Sequence, residues 1–373
     1  LRPPRLPFRH PGCGETVAVA VGSLRVRLTL WRIRGSLLTP VRASNHDHRG
    51  PEHVFVSLEH DGIVGWGEVS ALPEAILDDP SGEQVWRELV EIAGPRFREL
   101  VERESSVPEW SRVARMAASR TSSIWAFAAV EMAVLDHHLR SRGEDLADFW
   151  EVDAARVAEM ATTSLISPDR SWQPPAGAQR VRAKVDPSVD LSAVADWMAS
   201  WRRPVLLDYN ASARDVAHVV EQWRSVADRV EWSALEQPFA PGDLTRHAEL
   251  ALAIPVRVSM DEGVRSILDV RRIARYGAAS LVCVKPPRVG GLANARALLS
   301  EAASLGLATY VGGFFESPLA RHAHRCVAAS FDVEASDVAL VQYRETLGSP
   351  LDSGVGWSPL SGSALETATR VEI

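Results

Sequence analysis

Of the 41 basic residues in this 373-residue chain, only two are lysine, Lys184 and Lys285; the rest are arginine. With arginine serving wherever a surface cation will do, lysine is expected where arginine cannot work. The difference lies in acid–base chemistry: arginine stays protonated at any working pH, whereas a desolvated lysine can lose its proton and act as a base. Both lysines belong to a series of charged residues, Lys184, Asp208, Glu236, Asp261 and Lys285, with steps of 24, 28, 25 and 24 residues. Three carboxylates brought together repel one another unless a cation sits among them. Hard oxygen donors without histidine or cysteine in the series favour Mg²⁺, with Mn²⁺ as the alternative, over zinc. Taken singly, Asp208 could cap a helix and Asp261-Glu262 could be ordinary helix-start acids. The regular spacing of all five is what points to a cation site flanked by two proton-transfer groups.

Each of the five ends a short apolar run. From about residue 156 such runs alternate with amphipathic stretches, the mark of βα units and a parallel sheet. The expected strands are Val157–Thr163, Val181–Val185, Pro204–Asp208, Glu231–Glu236, Val256–Asp261, Leu281–Lys285, Ala308–Gly312 and Asp337–Val341. Helices are expected over Leu191–Trp201, Val216–Val226, Gly263–Tyr276 and Leu292–Leu305. Eight such units make an α/β fold of the (β/α)8, TIM-like barrel type, whose strand ends converge on one catalytic mouth. A doubly wound open sheet would want a glycine-rich phosphate loop after its first strand, and Gly290-Gly291 follows the sixth with no GxGxxG context.

Upstream, Val54–Leu58 and Gly65–Val69 alternate around His60-Asp61-Gly62, a hairpin with an Asp-Gly turn. Ser122–Arg142 reads as a long helix stopped by Gly143. Strands followed by helices predict an α+β capping domain. The expected organisation is an N-terminal region 1–155 with the cap starting at about 24, a barrel over 156–345, and a segment 346–373 that returns to the cap, with Gly354–Leu360 extended against it.

Apolar residues at 46% and charged residues at 24% exclude a disordered or fibrous chain, and a net charge of −7 argues against gripping nucleic acid or an anionic membrane. No stretch reaches the ~18–20 apolar residues of a membrane span. The first fifteen residues, rich in Arg and Pro, lack the apolar core of a secretory signal. Cys13, Cys283 and Cys326 have no metal spacing and read as reduced thiols of a cytoplasmic protein. His46 and His48 are a weaker metal pair than the strand ends, and His322 and His324 are two apart and so do not face one ligand.

The motifs resemble the enolase superfamily in its muconate-lactonizing branch. Arg182-Ala183-Lys184 is similar to a Lys-x-Lys on strand two, and Asp208-Tyr209-Asn210 to an Asp-x-Asn on strand three. Leu235-Glu236-Gln237-Pro238 stands for the Glu-Gln-Pro of strand four, and Met260-Asp261-Glu262 for the Asp-Glu of strand five. The run Val284–Gly291 and the segment Gly312-Gly313-Phe314-Phe315-Glu316 resemble the o-succinylbenzoate synthase and N-succinylamino acid racemase group. Arg182 departs from the usual lysine and retains only its charge.

The resemblance implies abstraction of a proton α to a carboxylate through an enediolate, by a lyase (syn dehydration) or a racemase. Lys184 and Lys285 would be catalytic, with Arg182, Asn210 and Glu262 in support. Asp208, Glu236 and Asp261 would hold Mg²⁺, and Ser44, Gly312, Phe314 and Glu316 would contact substrate, with Thr39–Pro51 as a flap. The partner is a small-molecule carboxylate, with neither nucleic acid nor membrane, and a homo-oligomer is left open. Competing expectations are a dipeptide epimerase or cycloisomerase, the former needing acids near strand eight (Asp332, Glu334, Asp337), and an inactive metal-binding scaffold protein.

Overall fold

The computed structural model describes residues 26–38, 41–42, 47–118, 123–158, 160–166, 177–185, 188–339, 349–350, 354–355, 357–358 and 368–373. Cys13, Ser44, His46, Leu340 and Val341 lie outside them.

The antiparallel sheet orders its strands Thr369–Glu372, Arg27–Arg34, Glu52–His60, Ile63–Ala71, so a C-terminal strand pairs with the first N-terminal one. Asp61 and Gly62 turn the hairpin in left-handed conformations, φ 51° and 77°. The helix Ile124–Arg142 lies across this sheet and stops at Gly143, φ 66°. Sheet and helix meet closely at Gly65 and Gly67, where a Cβ would come within 2.4 Å of Ala133 O and 2.0 Å of Ala129 O. Only glycine permits that approach. The helix is therefore buried on nearly all sides, against the sheet and against the barrel.

Seven parallel strands follow in sequence order: Thr163–Ile166, Arg180–Lys184, Val205–Asp208, Trp232–Glu236, Val258–Met260, Leu281–Val284 and Ala308–Val311. The place of the eighth is taken by Glu334–Asp337, which touches both edges. Ser336 bridges Thr162 and donates to Ala161 O at 3.0 Å, while Asp337 N donates to Val311 O at 2.8 Å. These bonds close the sheet into an α/β barrel. Leu206, Ala234, Leu281, Cys283 and Tyr310 fill its interior.

Five barrel helices start on side-chain caps, Asp190, Asp215, Asp243, Ser266 and Ser317, each accepting a backbone N–H of its first turn, whereas Leu292–Ser304 starts after Gly291 and gives its first N–H groups to Glu131. Two expected boundaries move. Val157 sits in the short helix Ala154–Ala158 rather than in a strand, because Asp153 accepts the Ala155 N–H at 2.8 Å and starts a helical turn there. The first barrel strand begins instead at Thr163. The helix expected over Gly263–Tyr276 starts at Ile267, after the Ser266 cap, and leaves Gly263–Arg265 as a loop over the strand end.

No helix among the described residues is long and apolar enough to cross a membrane.

Candidate active site

Side chains along a strand alternate between the two faces of the sheet, so residues two apart share the barrel interior. Arg182 and Lys184 share it on the second strand, and Cys283 and Lys285 on the sixth. The ladder sets Lys184 beside Asp208 and Asp208 beside Glu236. Lys184 Nζ donates to Asp208 Oδ2 at 2.9 Å, and Lys285 Nζ to Asp261 Oδ2 at 2.8 Å. The five charged strand ends thus meet at one mouth, the carboxylates in the middle and a lysine at each side. Asp208, Glu236 and Asp261 are buried.

Burial and the neighbouring Asp208 and Asp261 push the Glu236 carboxyl up to about 8, against the pull of Arg182. Asp261 goes the other way: although burial opposes ionisation, Lys285, Arg288 and Arg182 hold it well below the ordinary carboxylate range. Lys285 is likewise desolvated, yet Asp261 beside it raises its pKa above the ordinary lysine value, so this lysine is an ammonium. Glu262 is raised to about 7 by burial and by Asp261 and Asp208.

Neither oxygen of Glu236 accepts a hydrogen bond from a described residue. Its nearest cation is Arg182, Nε to Oε2 at 3.3 Å. A buried carboxylate with unspent lone pairs beside two further carboxylates is a donor set that suits a hard divalent cation. Glu236, Asp261 and Cys283 bring potential ligand atoms within 4.8 Å of one another. Cys283 was not among the expected site residues, though its place two before Lys285 puts it on the same strand face.

The supporting residues surround Lys184. Its Nζ donates to Asn210 Oδ1 at 2.8 Å, and Asn210 Nδ2 donates to Glu262 Oε1 at 3.3 Å. Asn210 N also donates to Asp208 Oδ1 at 3.0 Å, with Asn210 itself left-handed at φ 44°. Arg182 lies one layer deeper, between Glu236 and Asp337, whose Oδ2 is 3.7 Å from its Nη1. Gln237 Oε1 accepts the N–H groups of Asp261 and Gly263 at 3.0 and 3.2 Å, pinning the end of the fifth strand.

Of the expected substrate contacts, Gly312 and Phe314 lie against Lys285. A Cβ on Gly312 would come within 2.5 Å of Cys283 Sγ and 3.0 Å of Lys285, so glycine leaves room for the lysine stem. The Phe314 ring centre is 4.4 Å from Lys285 Nζ, 4.7 Å from the Trp125 ring centre and 5.2 Å from Arg288 Cζ. Glu316 differs: it is fully buried, accepts the Phe314 N–H at 2.7 Å and pairs with Arg321 at 3.0 Å. Its carboxylate is therefore spent inside the loop after the seventh strand. Of the three acids near strand eight, Glu334 is engaged with Arg180 and Arg257 and Asp337 with Arg182 and Arg321, while Asp332 is exposed.

Residues 170–349 match the family described as enolase C-terminal domain-like. The o-succinylbenzoate synthase of Bacillus subtilis (strain 168) is 25% identical over 305 residues, 79% of this chain and 79% of that protein. The N-succinylamino acid racemase of an Amycolatopsis species is 28% identical over 273 residues, 67% of this chain and 73% of the relative. Among solved structures, an enolase superfamily member from Listeria innocua Clip11262 superposes with a TM-score of 0.78 at 20% identity, covering 93% of this chain and 98% of that one. The family match over residues 170–349, relatives along most of the chain and a shared two-part fold liken the whole chain to the enolase superfamily.

Proposed function

We propose that this chain removes a proton α to a carboxylate through an enediolate, as an o-succinylbenzoate synthase, an N-succinylamino acid racemase, or both. The observation that carries this reading is the pair of lysines on either side of one buried carboxylate trio, Lys184 on Asp208 and Lys285 on Asp261. Asp208, Glu236 and Asp261 would hold Mg²⁺ or Mn²⁺. Bound there, the cation supplies positive charge to the substrate carboxylate as the enediolate develops.

The remaining work falls to side chains of the chain. Lys184 takes the α-proton, its Nζ oriented by Asn210 Oδ1 and, through Asn210, by Glu262. For a β-hydroxy acid, the electron pair left on the α-carbon forms the double bond as the β C–O bond breaks. Lys184 then returns its proton to the departing hydroxide, giving water by syn elimination. Lys285, an ammonium in this environment, serves as a fixed cation beside the enediolate. For an N-acyl amino acid the same ammonium delivers a proton to the opposite face, which inverts the α-carbon. Phe314 and Trp125 wall off the Lys285 side from water.

A dipeptide epimerase would want an acid near strand eight free to meet the substrate amine. Glu334 and Asp337 are each paired with two arginines, which leaves the exposed Asp332 as the candidate acid for that reading and gives it less support than the succinyl-type substrates. The deciding experiment is α-proton exchange in D₂O, with Mg²⁺ and with EDTA, across the o-succinylbenzoate precursor, N-succinyl amino acids and dipeptides. Cation-dependent exchange of the first two supports the reading. Exchange confined to dipeptides, or none at all with any carboxylate, overturns it.

A further inference from the structure

The segment between the strand Ile63–Ala71 and the helix Gly82–Glu88 carries a buried carboxylate, Asp79. It meets Arg288 in two parallel hydrogen bonds, Nε to Oδ1 at 3.0 Å and Nη2 to Oδ2 at 2.6 Å. Arg288 is fully buried and turns its remaining nitrogen, Nη1, to Asp261, 2.6 Å from Oδ1 and 3.0 Å from the backbone oxygen. One guanidinium therefore joins a carboxylate of the capping region to a carboxylate of the candidate cation site. Asp79 is also held from outside by Arg265, whose Nη2 donates to Asp79 Oδ1 at 2.9 Å and to Leu77 O at 2.9 Å.

The segment is not in a relaxed shape. Leu77 and Asp78 are both left-handed, φ 48° and 69°. Residues with a Cβ rarely adopt that conformation, and Arg265 holds this backbone in it by donating to Leu77 O and Asp78 O.

Electrostatics give this arrangement a role beyond anchoring. Arginine prefers to meet a carboxylate with both prongs of its fork, because two parallel bonds are stronger than one. Here the fork is filled by Asp79, and Asp261 receives only the remaining nitrogen. Without the charge on Asp79, Asp261 would be the one carboxylate, among the described residues, hydrogen-bonded to the buried Arg288 guanidinium. The fork would then close on both Asp261 oxygens and compete with any metal ion for them.

We infer that Asp79 is a positioning residue of the cation site: by occupying the Arg288 fork, it keeps Asp261 available to hold a divalent cation. This rests on the proposed function, since it presumes that Asp261 is a ligand. It also makes the capping segment part of the cation site, although Asp79 itself touches neither cation nor substrate.

The test is binding of Mn²⁺ to the full-length protein without substrate, read as loss of the free-Mn²⁺ paramagnetic resonance signal. Parent, Asp79→Asn, Arg288→Gln and the double variant are compared. Partners behind a metal ligand are typically worth about 10- to 100-fold in affinity, and Asp79→Asn should weaken Mn²⁺ by that much. The double variant should bind as Arg288→Gln does, because Asp79 acts only through that arginine. A double variant weaker than Arg288→Gln overturns the inference, as would an unchanged Asp79→Asn. Should Asp79→Asn fail to fold, the comparison of Arg288→Gln with the double variant decides alone. A parent that takes up no Mn²⁺ overturns the functional reading and this inference with it, whereas a binding parent with an equal Asp79→Asn overturns only the inference.

Discussion

Arg182 sits beneath Glu236, its Nε 3.3 Å from Oε2, as the nearest cation to a carboxylate whose oxygens accept no hydrogen bond from a described residue. Breaking a buried ion pair by deleting one partner costs about 3–5 kcal/mol. Glu236 is already raised to about 8 with Arg182 in place, so below that pH its carboxyl is mostly protonated in the parent and the charge left unpaired by the substitution is small. Arg182→Met should therefore fall near the lower end, about 3 kcal/mol, in urea unfolding without metal. Arg182→Lys keeps the charge within reach of Glu236 and should cost little in stability and leave turnover unchanged or better. A large loss in Arg182→Lys would show that the guanidinium shape matters and its charge does not suffice.

Two carboxylates make a poor all-protein site for a hard divalent cation, which wants several oxygen ligands. Asp208→Ala, Glu236→Ala and Asp261→Ala should each weaken Mg²⁺ by orders of magnitude in titration calorimetry. Unchanged affinity in Asp208→Ala and Asp261→Ala would put the cation elsewhere.

The barrel was legible because units two to six repeat one pattern, an apolar run closed by a charged residue and followed by a helix. The series Lys184 to Lys285 could be read from spacing alone, since equivalent ends of successive strands meet at one mouth. Short apolar runs are ambiguous, however, and Val157 fell to a helical turn through the Asp153 cap. Glu316 stands in a site-like motif, but nothing local shows that its carboxylate faces Arg321. The Asp79–Arg288 pair spans 209 residues, and no local pattern ties a loop acid to an arginine so distant. Cys283 was readable in principle from strand alternation with Lys285, but a lone cysteine gives no sign that it lies beside two acids.

Glu68 offers a test of how the two sheets are joined. Burial would push its carboxyl up, yet His53 and the hydrogen bonds from Ser317 hold it down to about 2. It accepts Ser317 N and Oγ and Ala320 N, at the start of the helix Pro318–Ala329. A carboxyl whose folded pKa is depressed adds stability above its unfolded value, and loses it as pH falls through the folded one. With an unfolded value of 4.5, the contribution is about 3 kcal/mol at neutral pH and fades between roughly pH 4.5 and 2. Glu68→Gln should be less stable than the parent by about that amount at pH 7. The gap should narrow at pH 3, as urea unfolding at the two values would read. A constant gap would mean that Glu68 acts by shape rather than by charge.

The lysines give the sharpest test. If Lys184 and Lys285 are kept for proton transfer and not for charge, Lys184→Arg and Lys285→Arg should fold and bind Mg²⁺ nearly as the parent does. Arginine preserves the positive charges that face Asp208 and Asp261, so unfolding midpoints should barely move. The proton-transfer step should nevertheless fall by ~10²–10⁴, the range for losing a positioned acid or base. The two positions should then separate. Lys184→Arg should stop both elimination and racemisation, because Lys184 is the base in each. Lys285→Arg should stop racemisation, which needs a proton delivered from its side, and leave part of the elimination, which needs only a cation there. Exchange of the substrate α-proton in D₂O reports the step directly. Substantial exchange surviving in Lys184→Arg would remove this lysine as the base, and the reading of two lysines among 41 basic residues would fall with it.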